Sequence, residues 1–224
     1  MDNKVNILKS SPILYYLKDN ELEKLAGHAV MRSYDTGSFI FWEGDSPQYF
    51  CIVAKGRVKI LKYSSSGKEF TIAFFHSYEM FGEIAVFQNM PYPATAQAVV
   101  DSDILQISKD DFLSFMGSRP QVALRIISVL GERLREAQER FKDIAGERVE
   151  QRIARILFML SEKSGPVLLY KQQEIAEMSG TTTETAIRVM VHFKEMGVID
   201  TVRGKITILN SVKLKLLSEG PPSV

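Results

Sequence analysis

Between Gln121 and Ile144 the chain carries apolar side chains at Ala123, Ile127, Leu130, Leu134, Ala137, Phe141 and Ile144, spaced alternately by four and three residues. This is the heptad spacing of a helix that lays one seam against a partner helix. No proline interrupts it, and Pro120, just ahead, suits the first turn of a helix. Arg125, Glu132, Arg133, Arg135, Glu136, Glu139 and Arg140 lie between the seam positions, so the remaining surface is solvated. A short amphipathic helix would be read as resting on its own domain. At 1.5 Å per residue this one spans about 36 Å, longer than packing inside a small domain requires. A homodimer seam is expected, with a different domain on each side: residues 1–119 before it, 120–146 as helix and hinge, and 147–224 after it.

Residues 4 to 29 read as short helical pieces, with Asp19 suited to cap the stretch from Glu21 to Ala29. From Met31 the texture changes to short strand-like runs, SFIFWEG, QYFCIVAKG, RVKILKYSSSG, KEFTIAFF, ATAQAVV and DILQIS. Strands at this spacing, jointed by Gly37, Gly44, Gly56 and Gly67, predict an antiparallel sandwich or barrel. Asp110 to Gly117 leads into the seam helix, and Ala145 and Gly146 end it at a hinge.

Beyond the hinge, Val149, Ile153, Ile156, Leu157 and Leu160 fall on one helical face. Strand-like Val167 to Tyr170, the helix QQEIAEM, the turn SGT and the helix TTETAIRVMVHFKEMG follow. Two short helices joined through a glycine-containing turn are the helix-turn-helix signature. Ile199 to Val202 and Ile206 to Leu209, joined by Arg203-Gly204-Lys205, predict a β-wing, and Asn210 or Ser211 can cap a last helix.

In the second helix of that motif, Ala186, Val189, Met190 and Phe193 repeat at core spacing. Thr183, Glu184, Ile187 and Arg188 occupy the rotated face. Glu184 can accept from cytosine N4 and Arg188, one turn on, can fork onto guanine O6 and N7. The same two residues could instead form an ordinary surface pair worth a few tenths of a kcal/mol, about the least a helix offers. Thr181 and Thr182 suit phosphate contacts at the helix start, and Arg203 and Lys205 could neutralise phosphates from the wing.

The whole chain resembles the Crp/Fnr family of bacterial transcription regulators. The marks are Gly37-Ser38-Phe39-Ile40-Phe41-Trp42-Glu43-Gly44-Asp45, Gly56-Arg57-Val58, Phe81-Gly82-Glu83-Ile84-Ala85, Pro91 to Thr95, and Glu184-Thr185 with Arg188. The resemblance implies an α+β chain with an N-terminal cyclic-nucleotide-binding-type β-roll (jelly roll), a long dimerisation helix and a C-terminal winged helix-turn-helix. It also implies that Glu184 and Arg188 read a TGA-type half-site in a palindrome of double-stranded DNA, and that an activator would engage RNA polymerase. The implied effector pocket is Gly82, Glu83, Ile84, Ala85, Tyr92, Pro93, Ala94 and Thr95, with Leu134, Ala137 and Gln138 from the long helix.

In that pocket the chain departs from the cyclic-AMP-binding members. Tyr92 and Pro93 stand where those members carry Arg-Ser to hold the cyclic phosphate. A guanidinium fork and a hydroxyl are gone, and proline has no N–H to offer. One lost charge-assisted hydrogen bond costs about 1.5–3 kcal/mol. An effector other than cyclic AMP, or constitutive activity, is therefore expected. The alternatives are a regulator that still takes cyclic AMP or a related nucleotide, and a haem-based nitric oxide sensor. Pro91-Tyr92-Pro93-Ala94-Thr95 is similar to the nitric-oxide-responsive regulators of denitrification and of hybrid cluster protein. Haem iron would take His, Met, Cys or Tyr, and the histidines are His28, His76 and His192. His76 also reads as a solvated turn residue.

Other classes are disfavoured on composition and motif. Cys51 is the only cysteine, which excludes an intrachain disulfide or a four-thiolate cluster in one chain. Net charge is +1, with eleven basic against eight acidic residues from 148 onwards. Glu43, Asp45, Glu79 and Glu83 lack a nucleophile with paired histidine, a metal-spaced cluster or a phosphate loop, so no catalytic or metal residues are assigned. The start MDNKVNILKSSPIL mixes charges among its apolar residues, and no run of about eighteen apolar residues occurs, so a cytoplasmic protein without membrane contact is expected.

Overall fold

The computed structural model describes residues 2–64, 67, 69–146, 148–202 and 204–219, the side chains of 2 and 140–146 excepted. In order the elements are α1 (Asp2–Ser10), α2 (Asp19–His28), β1 (Ala29–Tyr34), β2 (Phe39–Phe41), β3 (Tyr49–Lys55), β4 (Arg57–Tyr63), β5 (Glu69–His76), β6 (Met80–Phe81), α3 (Glu83–Gln88), β7 (Thr95–Ala98), β8 (Ser102–Ser108), α4 (Lys109–Gly117), α5 (Pro120–Gly146), α6 (Val149–Ser164), β9 (Val167–Leu168), α7 (Gln172–Met178), α8 (Thr183–Glu195), β10 (Ile199–Val202), β11 (Lys205–Ile208) and α9 (Ser211–Glu219). They fall into two units, Met1–Arg133 and Leu134–Val224.

The first unit folds as the alternating runs direct. Two four-stranded sheets, β1-β8-β3-β6 and β2-β7-β4-β5, are antiparallel throughout. Their inner faces close on Phe41, Cys51, Val53, Val58, Phe75, Phe81, Tyr92 and Ile104. Gly56 makes the tightest joint: a Cβ there would lie 2.3 Å from Ser102 Oγ and 2.7 Å from the Asp101 carbonyl, at a φ of +97°. Only glycine can carry β3 directly into β4 there. Gly37, Gly44 and Gly67 also hold positive φ, as their joint positions predict. A second core joins α1, α2 and α4 to the start of α5, with the Phe50 and Phe112 rings stacked at 3.7 Å.

Four sequence expectations shift. Lys18, not Asp19, caps α2; its N–H donates to Glu21 Oε2 at 3.0 Å, and Asp19 is already helical. The sheet begins at Ala29 rather than Met31, and β6 and α3 fill the interval left between KEFTIAFF and ATAQAVV. Helix α5 runs through Ala145 and Gly146 instead of being interrupted there, and the next helix begins at Val149 with Arg148 as its cap.

The seam is split as well. Val122 and Ile126, both buried, face the first unit's own core, and Leu130 is partly buried against it. Leu124, Ile127, Leu134 and Ala137 remain exposed, Ala123 is intermediate, and the Phe141 and Ile144 side chains lie outside the described residues. One helix thus carries two apolar stripes. The inner stripe fixes α5 to its own domain, and the outer stripe has the spacing of a helix pair.

In the second unit Ile153, Leu157, Leu160, Ile175, Ala186, Val189, Met190, Phe193, Val198 and Ile206 form one core. A three-stranded sheet, β10-β11-β9, supplies the wing. The Asn210 side chain accepts from Lys213 N at 2.9 Å and caps α9. Among the described residues no helix is long and apolar enough to cross a membrane.

Candidate nucleic-acid interface and β-roll interior

The turn between α7 and α8 is braced from beneath. Arg152 of α6 is buried, and its Nε donates to the Ser179 carbonyl at 2.9 Å. Thr181 N donates to the Ala176 carbonyl at 3.0 Å, and Gly180 takes a φ of +64°. Thr182 caps α8: its Oγ1 accepts from Thr185 N at 3.2 Å. Thr182 therefore satisfies one of the helix's own free amides through a lone pair, and its side chain stays exposed.

With Ala186, Val189, Met190 and Phe193 buried, α8 has one orientation left. Thr183, Glu184, Ile187 and Arg188 are exposed together, followed one turn on by Val191 and His192. Glu184 and Arg188 carry opposite charge four residues apart, yet among the described residues no ion pair joins them. At the C-terminal end, Lys194 Nζ lies 2.8 Å from Asp200 Oδ1 and ties α8 to β10. That ammonium and the Thr201 N–H hold the Asp200 carboxyl below its usual range.

Between the start of α7, the start of α8 and the wing lies a groove of about 410 Å³. Lys171, Gln172, Gln173, Thr183, Thr201 and Lys205 are among its lining residues. Lys205 thus lies beside the start of the exposed α8 face. Arg203 lies outside the described residues. Lys171, Gln172, Gln173, Thr201 and the bracing Arg152 went unnoticed in the sequence. Only the fold brings residues so far apart in the chain to one groove, and no periodicity marks them.

In the β-roll, Gly82 takes a φ of +79° and passes β6 into α3. The Tyr92 side chain folds inward against it: a Cβ on Gly82 would meet Tyr92 Cε1 and Phe41 Cε1, each at 3.4 Å. The Tyr92 ring stacks on Phe41 at 3.7 Å and 6°. Its hydroxyl donates to the Tyr49 carbonyl at 3.0 Å and it is 4% exposed. Burial pushes its phenol up to about 12.

Beside it, Glu83 is buried and meets Arg133 of α5, with Nη1 3.1 Å from Oε1. Arg133 Nη2 donates to the Met80 carbonyl at 2.7 Å, and the guanidinium lies 4.6 Å over the Phe75 ring. Burial raises the Glu83 carboxyl, with Arg133 opposing it. The structure thus turns the two polar features of the predicted pocket inward, onto partners within the chain. Ala85 and Ala94 join the core, and Thr95 Oγ1 accepts from Glu43 N at 3.0 Å.

Other predicted pocket residues lie open to solvent. Ile84, at 45% exposure, and Pro93 face outward, and Leu134, Ala137 and Gln138 are exposed along α5. Arg133, one residue before Leu134, is the α5 residue that reaches Glu83; it read in the sequence as a solvated charge between seam positions. The histidines considered as haem donors stand on three different elements. His28 ends α2 with Nδ1 3.0 Å from Asp111, His76 ends β5, and His192 lies on α8. The Tyr92 hydroxyl is engaged by the Tyr49 carbonyl.

Comparison with known proteins matches both units. The description "Cyclic nucleotide-binding domain" fits residues 31–119, and "Crp-like helix-turn-helix domain" fits residues 151–217. The chain is 29% identical to the Cyclic AMP receptor protein of Thermus thermophilus over 95% of its own length and 99% of the relative's. It is 24% identical to the Transcriptional activator protein anr of Pseudomonas aeruginosa, over 82% and 78%. The solved structure of FixK2 from Bradyrhizobium japonicum shares the fold, with a TM-score of 0.76 at 20% identity over 84% of this chain and 96% of that one. The Pseudomonas relative is by name a transcriptional activator. With a β-roll ahead of it and a braced, capped α8 whose polar face is open, the chain has the two domains of a Crp/Fnr-type DNA-binding transcription regulator.

Proposed function

We propose that the chain acts as a homodimer that reads a TGA-containing palindrome, one α8 in each of two major grooves about 34 Å apart. The observation that carries this reading is the state of Glu184 and Arg188: exposed, oppositely charged, one turn apart and unpaired with each other. Two charges available to base edges can accept from cytosine N4 and donate to guanine. Thr183 and Ile187 flank them, and Lys205 with Thr181 and the wing turn meets phosphates. The outer stripe of α5 joins the two copies. The reading places the protein in the cytoplasm, where an activating form would contact RNA polymerase.

The test is operator binding by the purified full chain, without additions, on a TGA palindrome and on scrambled DNA across a salt series. Glu184→Ala should cost about 1–3 kcal/mol and relax one base position, while Lys205→Ala should weaken both duplexes alike and flatten the salt dependence. Equal losses on both duplexes from both changes would contradict the assignment.

A second proposal concerns control. Tyr92 packed on Phe41 and Gly82, together with Glu83 held by Arg133, supports a regulator that does not take cyclic AMP. Control then lies with a different effector or with protein abundance. Isothermal calorimetry should show no micromolar binding of cyclic AMP; heat at that concentration would restore the cyclic-AMP-dependent reading that the Thermus relative's name carries.

A further inference from the structure

The exposed face of α8 is made of two parallel rows. One holds Glu184, Arg188 and His192; the other holds Thr183, Ile187 and Val191, each four residues from the next. Every member of the second row is β-branched and carries a methyl group outward from the helix. Ile187 is 38% exposed and Val191 48%. β-branched residues are poorer helix formers than alanine or leucine because their χ1 freedom is lost against the preceding turn. Folding covers part of each side chain and leaves the rest in solvent, where it is available to a partner. The row begins at the groove shared with the wing and continues the face on which Glu184 and Arg188 stand.

We infer that Ile187, with Val191 behind it, is a specificity-determining contact for the 5-methyl groups of thymines beside the base pairs that Glu184 and Arg188 read. In the major groove thymine alone presents a methyl, and an apolar side chain is its natural partner. The row is also selective against cytosine at those positions: the cytosine edge offers a donor in place of an acceptor and lacks the methyl, and an isoleucine can satisfy neither. This inference rests on the DNA-reading assignment of α8 and adds the identity of the bases next to it.

The experiment uses the full chain. A preferred operator is first selected from a randomised duplex library, and each of its thymines is then replaced singly by deoxyuridine, which lacks only the 5-methyl group. Affinity is read by fluorescence anisotropy for the natural protein, Ile187→Ala, Val191→Ala and Glu184→Ala. At one or two thymines per half-site, deoxyuridine should weaken the natural protein about fourfold, the burial of one methyl group. The same replacement should be neutral for Ile187→Ala or Val191→Ala, partly exposed substitutions to a better helix former whose cooperative thermal unfolding shows that the fold is kept.

The inference is overturned if every replacement is neutral for the natural protein, if the penalty persists undiminished in both alanine variants, or if the selected operator has no thymine next to the bases that Glu184→Ala relaxes. Failure of the underlying reading looks different: the library then yields no preferred sequence and Glu184→Ala changes nothing.

Discussion

Tyr92 shows how one residue changes what a pocket can hold. Its ring stacks on Phe41 and fills the interior beside Gly82, while the hydroxyl donates to the Tyr49 carbonyl. Its phenol is held protonated to about 12, against 10.0 ordinarily, chiefly by burial. A raised folded pKa means that the linked stability is fully present below pH 10 and is lost as pH rises through about 12. An alkaline titration followed by phenolate absorbance should show a late step that Tyr92→Phe removes. That variant should lose about 1 kcal/mol in denaturant unfolding, the worth of one hydrogen bond. Arg133→Ala should cost more, about 1–3 kcal/mol, because it leaves the buried Glu83 carboxylate without its partner. The Glu83 pKa is already raised, so the remaining destabilisation should grow as pH rises above 4.5, and Glu83→Gln in the same background should abolish that dependence.

Among the elements, α8 depends most on its first turn. Thr183 and Glu184 directly follow the Thr182 cap, so fraying there would release part of the reading face along with helix hydrogen bonds. Thr182→Ala should lower stability by about 1 kcal/mol, with Thr182→Asp recovering most of it. Thermal unfolding reads the first effect. Operator affinity reads the second, because a frayed turn adds ordering entropy to binding. In the alanine variant both should fall together, whereas Glu184→Ala should weaken binding with stability unchanged.

For the molecule as a whole, the two stripes of α5 separate what folding buries from the open surface on which the proposed dimer would form. Val122 and Ile126 belong to the first unit's core, whereas Ile127 and Leu134 are 63% and 60% exposed. Leu134→Glu should leave the monomer within about 0.5 kcal/mol of its natural stability, as surface changes do. Sedimentation should show the dimer dissociating, and binding to a palindrome should fall towards that of a single half-site. Ile126→Glu, on the buried stripe, should unfold the first unit instead.

Much of this was legible from spacing alone. The strand runs, the helix-turn-helix, the wing and the core and open faces of α8 follow from periods of two and of 3.6 residues and from glycine at the joints, and such local patterns survive into the fold. The seam was half legible: a heptad rule finds an apolar stripe but does not say whether it meets a copy or the chain's own core, and here Leu130 leans towards the core. The β-roll interior was least legible. Sequence set the identity of Tyr92, Glu83 and Arg133 and excluded a guanidinium at the phosphate position. Whether Tyr92 turned inward, and which α5 residue met Glu83, depended on partners 43 and 50 residues away along the chain. Local periodicity carries no record of such pairings, because they are selected by the shape and dielectric of a cavity that exists only once both sheets and α5 have packed.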